Sequence, residues 1–214
     1  MTLFNYRAFN AAPLAGDPFQ HVVVEGFIAA NDLARISEDF PAVPGPGSHP
    51  PSAFALKRHF ATLMDELASQ VFREAVEAKF AIDLSRSGYM ATIRGEIREK
   101  DGAVHTDSAS KLITVLLYLN EDWPAAGGRL RLLRSQDSLD DPVREIPPTG
   151  GTLLVFRRTD HSWHGHKPFA GKRRAIQVNW VVDEGVAARE QRRHLLSTRV
   201  QQVTRFLTRN TERT

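Results

Sequence analysis

The chain has 214 residues, 42% of them hydrophobic and 25% charged, which supports a packed core and excludes wholesale disorder. Its 28 basic and 25 acidic side chains leave a net charge of only +3, too small by itself to point to a nucleic-acid partner. The absence of cysteine excludes a disulfide scaffold, thiolate metal ligands and a cysteine nucleophile.

In chain order, MTLFNYRAFN lacks a basic start followed by an apolar block, so no secretory leader is expected and a reducing cytoplasm is the simplest location. HVVVEGF, His21–Phe27, reads as a short strand, and Asn31 can cap a helix over Asp32–Phe40. The cluster PAVPGPGSHPP, Pro41–Pro51, forces a loop. Apolar residues at helical spacing then run through Ser52–Phe80.

From Tyr89 the rhythm changes. YMATIR, KLITVLLYLN, GGRLRLL, GGTLLVF and RAIQVNWVV are short, rich in β-branched and aromatic residues, and separated by glycine pairs or proline-containing turns. Strands in succession without intervening helices predict an antiparallel sandwich or jelly roll, mainly β with flanking helices. The longest apolar run, about Leu112–Leu119, is far short of the ~18 residues that would span a bilayer. Ser135–Pro148 reads as a loop. After Gly185, seven arginines face Glu190 and Glu212, while Leu195, Leu196, Val200, Val203, Phe206 and Leu207 recur at roughly helical spacing. A basic C-terminal helix with its apolar stripe on the body is expected; a homodimer contact or an anionic partner are the alternatives. The expected organisation is one domain over 1–214, with an N-terminal strand and helices (1–88), a β core (89–183) and this helix (184–214).

His105-Thr106-Asp107 opens the strand run. In extended backbone these two side chains share a face, so an imidazole and a carboxylate converge. A third ligand from His161, His164 or His166 would complete a two-histidine, one-carboxylate set, which leaves adjacent positions open on an octahedral Fe(II). Arg174 stands ten residues after His164, in the next strand. Arg174, Ile176, Val178 and Trp180 share one face, and Arg173, Ala175, Gln177 and Asn179 the other. The first face is apolar apart from its arginine, so Arg174 is expected to enter the barrel and meet an anion, with Arg173 toward solvent. An ion pair is the alternative role for Arg174.

Over Tyr89–Asp183 the sequence resembles the Fe(II)- and 2-oxoglutarate-dependent dioxygenases of the prolyl-4-hydroxylase-like branch. The matches are His105-x-Asp107, YLNEDW (Tyr118–Trp123), GGRLRLL (Gly127–Leu133), the strand LLVF, His164 with Pro168 four residues on, and Arg174; VVVEGFIAAND also looks like that domain's entry. The resemblance implies a double-stranded β-helix core, with His105, Asp107 and His164 as iron ligands and catalytic residues. It also implies that Arg174, helped by Tyr118, binds the distal carboxylate of 2-oxoglutarate. The implied reaction uses O2, with ascorbate a candidate reductant, gives succinate and CO2, and hydroxylates a peptidyl proline or a small molecule. Many relatives carry a tyrosine where this chain has Gly95, which leaves Tyr89, Arg94 or Arg98 to replace it. The presence of Asp107 disfavours halogenation.

Two other readings stand beside this one. The first is a zinc or cupin-like metal protein built on His161, His164 and His166. The second is a non-catalytic module that uses the basic helix. No membrane partner is expected and nucleic acid is disfavoured. Arg129 and Arg131 read as a solvated strand face, with attraction of an acidic substrate as the alternative.

Overall fold

The computed structural model describes residues 2–211, with side chains through residue 205. Phe206, Leu207 and Glu212, named above, and two of the seven arginines, Arg209 and Arg213, lie outside the described side chains.

Among the described residues, eight strands form two antiparallel sheets. The strands are β1 (His21–Val24), β2 (Gly88–Ile97), β3 (Lys111–Tyr118), β4 (Leu130–Leu133), β5 (Pro142–Ile146), β6 (Leu153–Arg157), β7 (His164–His166) and β8 (Gly171–Val181). The major sheet has the order β1-β6-β3-β8-β2 and the minor sheet β5-β4-β7. Five helices flank them: α1 (Tyr6–Ala11), α2 (Ala30–Glu38), α3 (Arg58–Leu67), α4 (Gln70–Phe80) and α5 (Glu184–Thr211). The fold is the jelly roll expected, with a strand from the N-terminal segment closing one edge of the major sheet against β6.

Both faces of the major sheet are buried, for different reasons. Its outer face carries Ile93, Ile113, Val115, Leu117, Leu153, Val155, Ile176, Val178 and Trp180 into one cluster with Phe60, Leu63, Leu67, Phe72, Val76 and Phe80 of α3 and α4. Burying these side chains supplies most of the cohesion, at about 1.5–3 kcal/mol for each large one. The inner face meets the minor sheet through a smaller apolar cluster, with Leu116, Tyr118, Leu154, Phe156 and Ala175 against Leu130, Leu132 and Ile146. Toward β8 and β2 the same inner face turns polar, with Thr92, Thr114, Arg173, Gln177 and Asn179 all buried. A sandwich interior that buries amides, hydroxyls and a guanidinium forgoes apolar stabilisation there, and functional sites are where such a cost is met.

Several local expectations are corrected. Helix α2 starts at Ala30 with no side-chain cap, so Asn31 lies inside its first turn. The pattern over Ser52–Phe80 is two helices rather than one: α3 ends at Leu67, and Ser69 accepts from the Phe72 amide to cap α4. Strand β5 lies within the segment expected as loop, where Leu130 and Arg131 of β4 pair with Ile146 and Glu145. Helix α5 does not lay its apolar stripe on the body, since Leu196, Val200 and Val203 are at least 60% exposed. It docks instead through buried Ala187 and Thr198, and Thr198 shares a 2.9 Å hydrogen bond with His49 Nδ1. The other ring nitrogen of His49 contacts the Gly45 carbonyl at 2.9 Å, so this imidazole ties the Pro/Gly loop to α5.

His21 and His49 are almost fully buried, and burial pushes both below the ordinary histidine value. Below about pH 6.5 the unfolded chain therefore takes up protons that the folded chain refuses, so stability is lost as pH falls through that range. The denaturant midpoint at pH 5.5 should lie below that at pH 7.5. An unchanged or higher midpoint contradicts this account of the two histidines.

Candidate active site

A pair of backbone hydrogen bonds assembles the centre. The His105 amide donates to the His164 carbonyl at 3.0 Å and the His164 amide to the His105 carbonyl at 2.9 Å. This bridge joins the segment before β3 to the three-residue strand β7, and it sets the two imidazoles 4.4 Å apart, centroid to centroid. Asp107, two residues beyond His105, projects into the same space. One ligand atom from each of His105, Asp107 and His164 lies within 4.8 Å of the others.

The donors are prepared for a cation. His105 Nδ1 is 2.8 Å from the Ala103 carbonyl, and His164 Nδ1 is 2.9 Å from the Ser162 carbonyl. A carbonyl only accepts, so each Nδ1 keeps its proton and each Nε2 presents a lone pair. Burial pushes His164 down to about 4, so its ring is neutral at pH 7. At Asp107 burial raises the pKa, but the Lys111 ammonium at 2.6 Å, nearby His164 and the Thr114 hydroxyl outweigh it and hold the group at about 2. Thr114 Oγ1 donates to Asp107 Oδ2 at 2.5 Å, fixing the carboxylate from the floor of β3. Two imidazoles that turn Nε2 to one point and an ionised carboxylate suit a divalent first-row ion, so the residues present fit the iron of the two-histidine, one-carboxylate class.

The zinc or cupin-like alternative is not supported by this geometry. His161 is exposed, while His166 shares the inner face with His164 but turns Nδ1 to the Lys167 carbonyl at 2.9 Å. Among the described residues, the group able to hold a metal is His105, Asp107 and His164.

The expected orientation of the β8 arginines is reversed. Arg173 is 4% exposed, lines the chamber holding His105, Asp107 and His164, and sets its guanidinium 5.1 Å from the Tyr118 ring centroid. Its Nη2 lies 3.4 Å from Tyr118 Oη, and its Nε donates to the Gly128 carbonyl at 2.8 Å. Arg174 points the other way, stacks over Phe40 at 4.7 Å and donates to the Ser37 carbonyl at the end of α2. The apolar face of β8 packs on the helices and the polar face lines the interior, so the arginine on the polar face enters. Tyr118 is fully buried beside Arg173, on the face it shares with Thr114 and Leu116.

Arg94 is the inward side chain on β2. It pairs in register with Ala175 and lines the same chamber as His105, Asp107 and His164. At Gly95 the next side chain would point outward into Val43, so no tyrosine fits at that position. Of the proposed replacements, Tyr89 packs against Trp180 on the helical side and Arg98 is paired with Asp101 outside, which leaves Arg94. Arg129 and Arg131 are engaged by Glu145 on the minor sheet and do not reach the chamber.

Residues 96–182, most of the jelly roll, match the family model described as the 2OG-Fe(II) oxygenase superfamily. The fold is similar to a prolyl-4-hydroxylase of Pseudomonas putida at 18% identity, covering 82% of this chain and 96% of that one with a TM-score of 0.53. It is also similar to prolyl 4-hydroxylases of Phytophthora capsici, at 17% identity, 83% and 62% coverage and a TM-score of 0.56. A third is a Trichoplax adhaerens prolyl hydroxylase in complex with a hypoxia inducible factor peptide, at 16% identity, 87% and 92% coverage and a TM-score of 0.50. No curated protein matches the sequence. The match to this superfamily covers residues 96–182, and the likeness to these prolyl hydroxylases is one of fold.

Removing the Thr114 hydroxyl should loosen the metal site without unfolding the sheet. Thr114→Val is expected to weaken Mn(II) binding by about tenfold or more while far-ultraviolet dichroism stays unchanged. Unaltered affinity in calorimetric titration contradicts the role given to this hydroxyl.

Proposed function

We propose that this oxygenase holds Fe(II) through His105, Asp107 and His164, and 2-oxoglutarate through Arg173 and Tyr118, and hydroxylates a substrate entering beside Arg94. The reading is carried by one observation. Three ligand atoms converge within 4.8 Å in a chamber lined by Arg173, whose guanidinium contacts the buried Tyr118 phenol. Metal, cosubstrate and O2 together supply the oxidising chemistry, in which 2-oxoglutarate becomes succinate and CO2 and a substrate C–H becomes C–OH.

The protein's own residues bind and orient. Arg173 offers two nitrogens in one plane, the geometry that grips a carboxylate at two points. Tyr118 can donate its phenolic proton to the same carboxylate, and burial raises its pKa so that the proton stays on. Leu116 and Leu130 line the space between and exclude water from the bound cosubstrate. The substrate is a peptidyl proline or a small molecule. The setting is a reducing cytoplasm, consistent with a chain free of cysteine; among the described residues no helix is long and apolar enough to cross a membrane. Ascorbate is the candidate reductant.

The two β8 arginines give the test. With Mn(II)-loaded protein, Arg173→Gln should weaken 2-oxoglutarate binding by roughly tenfold to a hundredfold, the loss expected of a charge-assisted contact. Arg174→Gln should leave it within about twofold, and succinate production should follow the same order. If Arg174 and not Arg173 governs 2-oxoglutarate affinity, or if His105→Ala binds metal as the wild type does, the assignment is wrong.

A further inference from the structure

Arg94 has no task in the chemistry described so far. Its Nε is buried without a hydrogen-bond partner, and no ion pair engages its guanidinium among the described residues. Burial and the neighbouring Arg173 guanidinium push it below its ordinary value, outweighing the support of Asp107 and Asp101. Arg94 also lines a second chamber of about 370 Å³, which shares Arg94, Lys111 and Gln177 with the metal chamber. Met90, Thr92, Asn179 and Val181 form its floor. Glu190, Arg193 and His194 of α5 stand on one side and Ser48 of the Pro/Gly loop on another.

Charge selects what this second chamber takes. Arg94, Lys111, Arg173 and a bound Fe(II) are faced by Asp107 and by the two carboxylates of the cosubstrate, which leaves the joined chambers net positive. Other nearby acids do not change this, because Asp101 is paired with Arg98 and Glu190 with Arg193. Buried excess charge is costly unless a ligand compensates it. The volume is that of a pocket for a small molecule, and the remaining lining is rich in hydroxyls and amides.

We propose that the substrate is a compact polar molecule bearing a carboxylate or phosphate, which Arg94 receives, flanked by Lys111, beneath α5. This rests on the oxygenase reading and narrows its substrate class to small anions.

The test uses the full chain loaded with Zn(II) and saturating 2-oxoglutarate, so that the cosubstrate site is already filled. Arginine Nε–H resonances are followed during titration with acetate, methylphosphonate or neutral acetamide, and the Arg94 signal is identified by its loss in Arg94→Gln. Saturable movement of that signal with acetate or with methylphosphonate, but not with acetamide, is the expected result, and the stronger anion tells carboxylate from phosphate. Arg94→Gln should weaken that anion by about tenfold or more and leave 2-oxoglutarate affinity within about twofold. If 2-oxoglutarate binds the wild type but neither anion moves Arg94, this inference alone is overturned. It is also overturned if Arg94→Gln loses 2-oxoglutarate as Arg173→Gln does, since Arg94 would then belong to the cosubstrate clamp. Wild-type protein that takes up no 2-oxoglutarate removes the oxygenase reading and this inference with it.

Discussion

The site depends on a two-bond backbone bridge between His105 and His164. The two residues are 59 positions apart in sequence, and the bridge joins them where the minor sheet meets the segment leading into β3. Everything chemical follows from it. Each Nδ1 is taken by a carbonyl two residues upstream, so each ring is held with Nε2 forward. Asp107 then arrives on the same face as His105, braced by Thr114 from β3. Three groups that would have to desolvate to hold a metal are aligned by bonds the fold makes in any case, which lowers the entropic cost of assembling such a site.

A second constraint is the asymmetry of the major sheet. Its outer face is sealed by α3 and α4 through a continuous apolar cluster, and that cluster allows the inner face to carry polar groups toward β8 and β2. Stability is thus concentrated on one side of the sheet and chemistry on the other. The buried guanidiniums of Arg94 and Arg173 are the clearest sign of this division, since neither has a carboxylate partner among the described residues and each faces a chamber.

The strands of the jelly roll and the pair His105 and Asp107 could be read from the sequence because their signals are local, whereas the choice of His164 among three histidines came from the family resemblance. The β-branched runs from Tyr89 onward give strands by composition, and His-x-Asp puts its two side chains on one face by the two-residue period. The arginine could not be read in the same way. Alternation separates Arg173 from Arg174 onto opposite faces but is silent on which face looks inward, and the usual guide, that apolar means interior, points to the helices in this fold. Strand β7 escaped because His-Gly-His has no β-branched residue, and its strand character comes entirely from pairing with β4. Strand β5 escaped because its proline and charged residues read as loop, although pairing with β4 overrides them. The role of α5 was obscured for a related reason. Its exposed Leu196, Val200 and Val203 look like a docking stripe, while the contacts that hold it come from Ala187, Thr198 and Gln201.

The most direct test is a crystal structure of the chain soaked with Mn(II) and 2-oxoglutarate, with the metal located by its anomalous scattering. The account requires the anomalous peak between His105 Nε2, His164 Nε2 and Asp107, with the far carboxylate of the cosubstrate against Arg173 and Tyr118. A metal seated on His161 or His166, or a cosubstrate whose far end lies at Arg174, would contradict it.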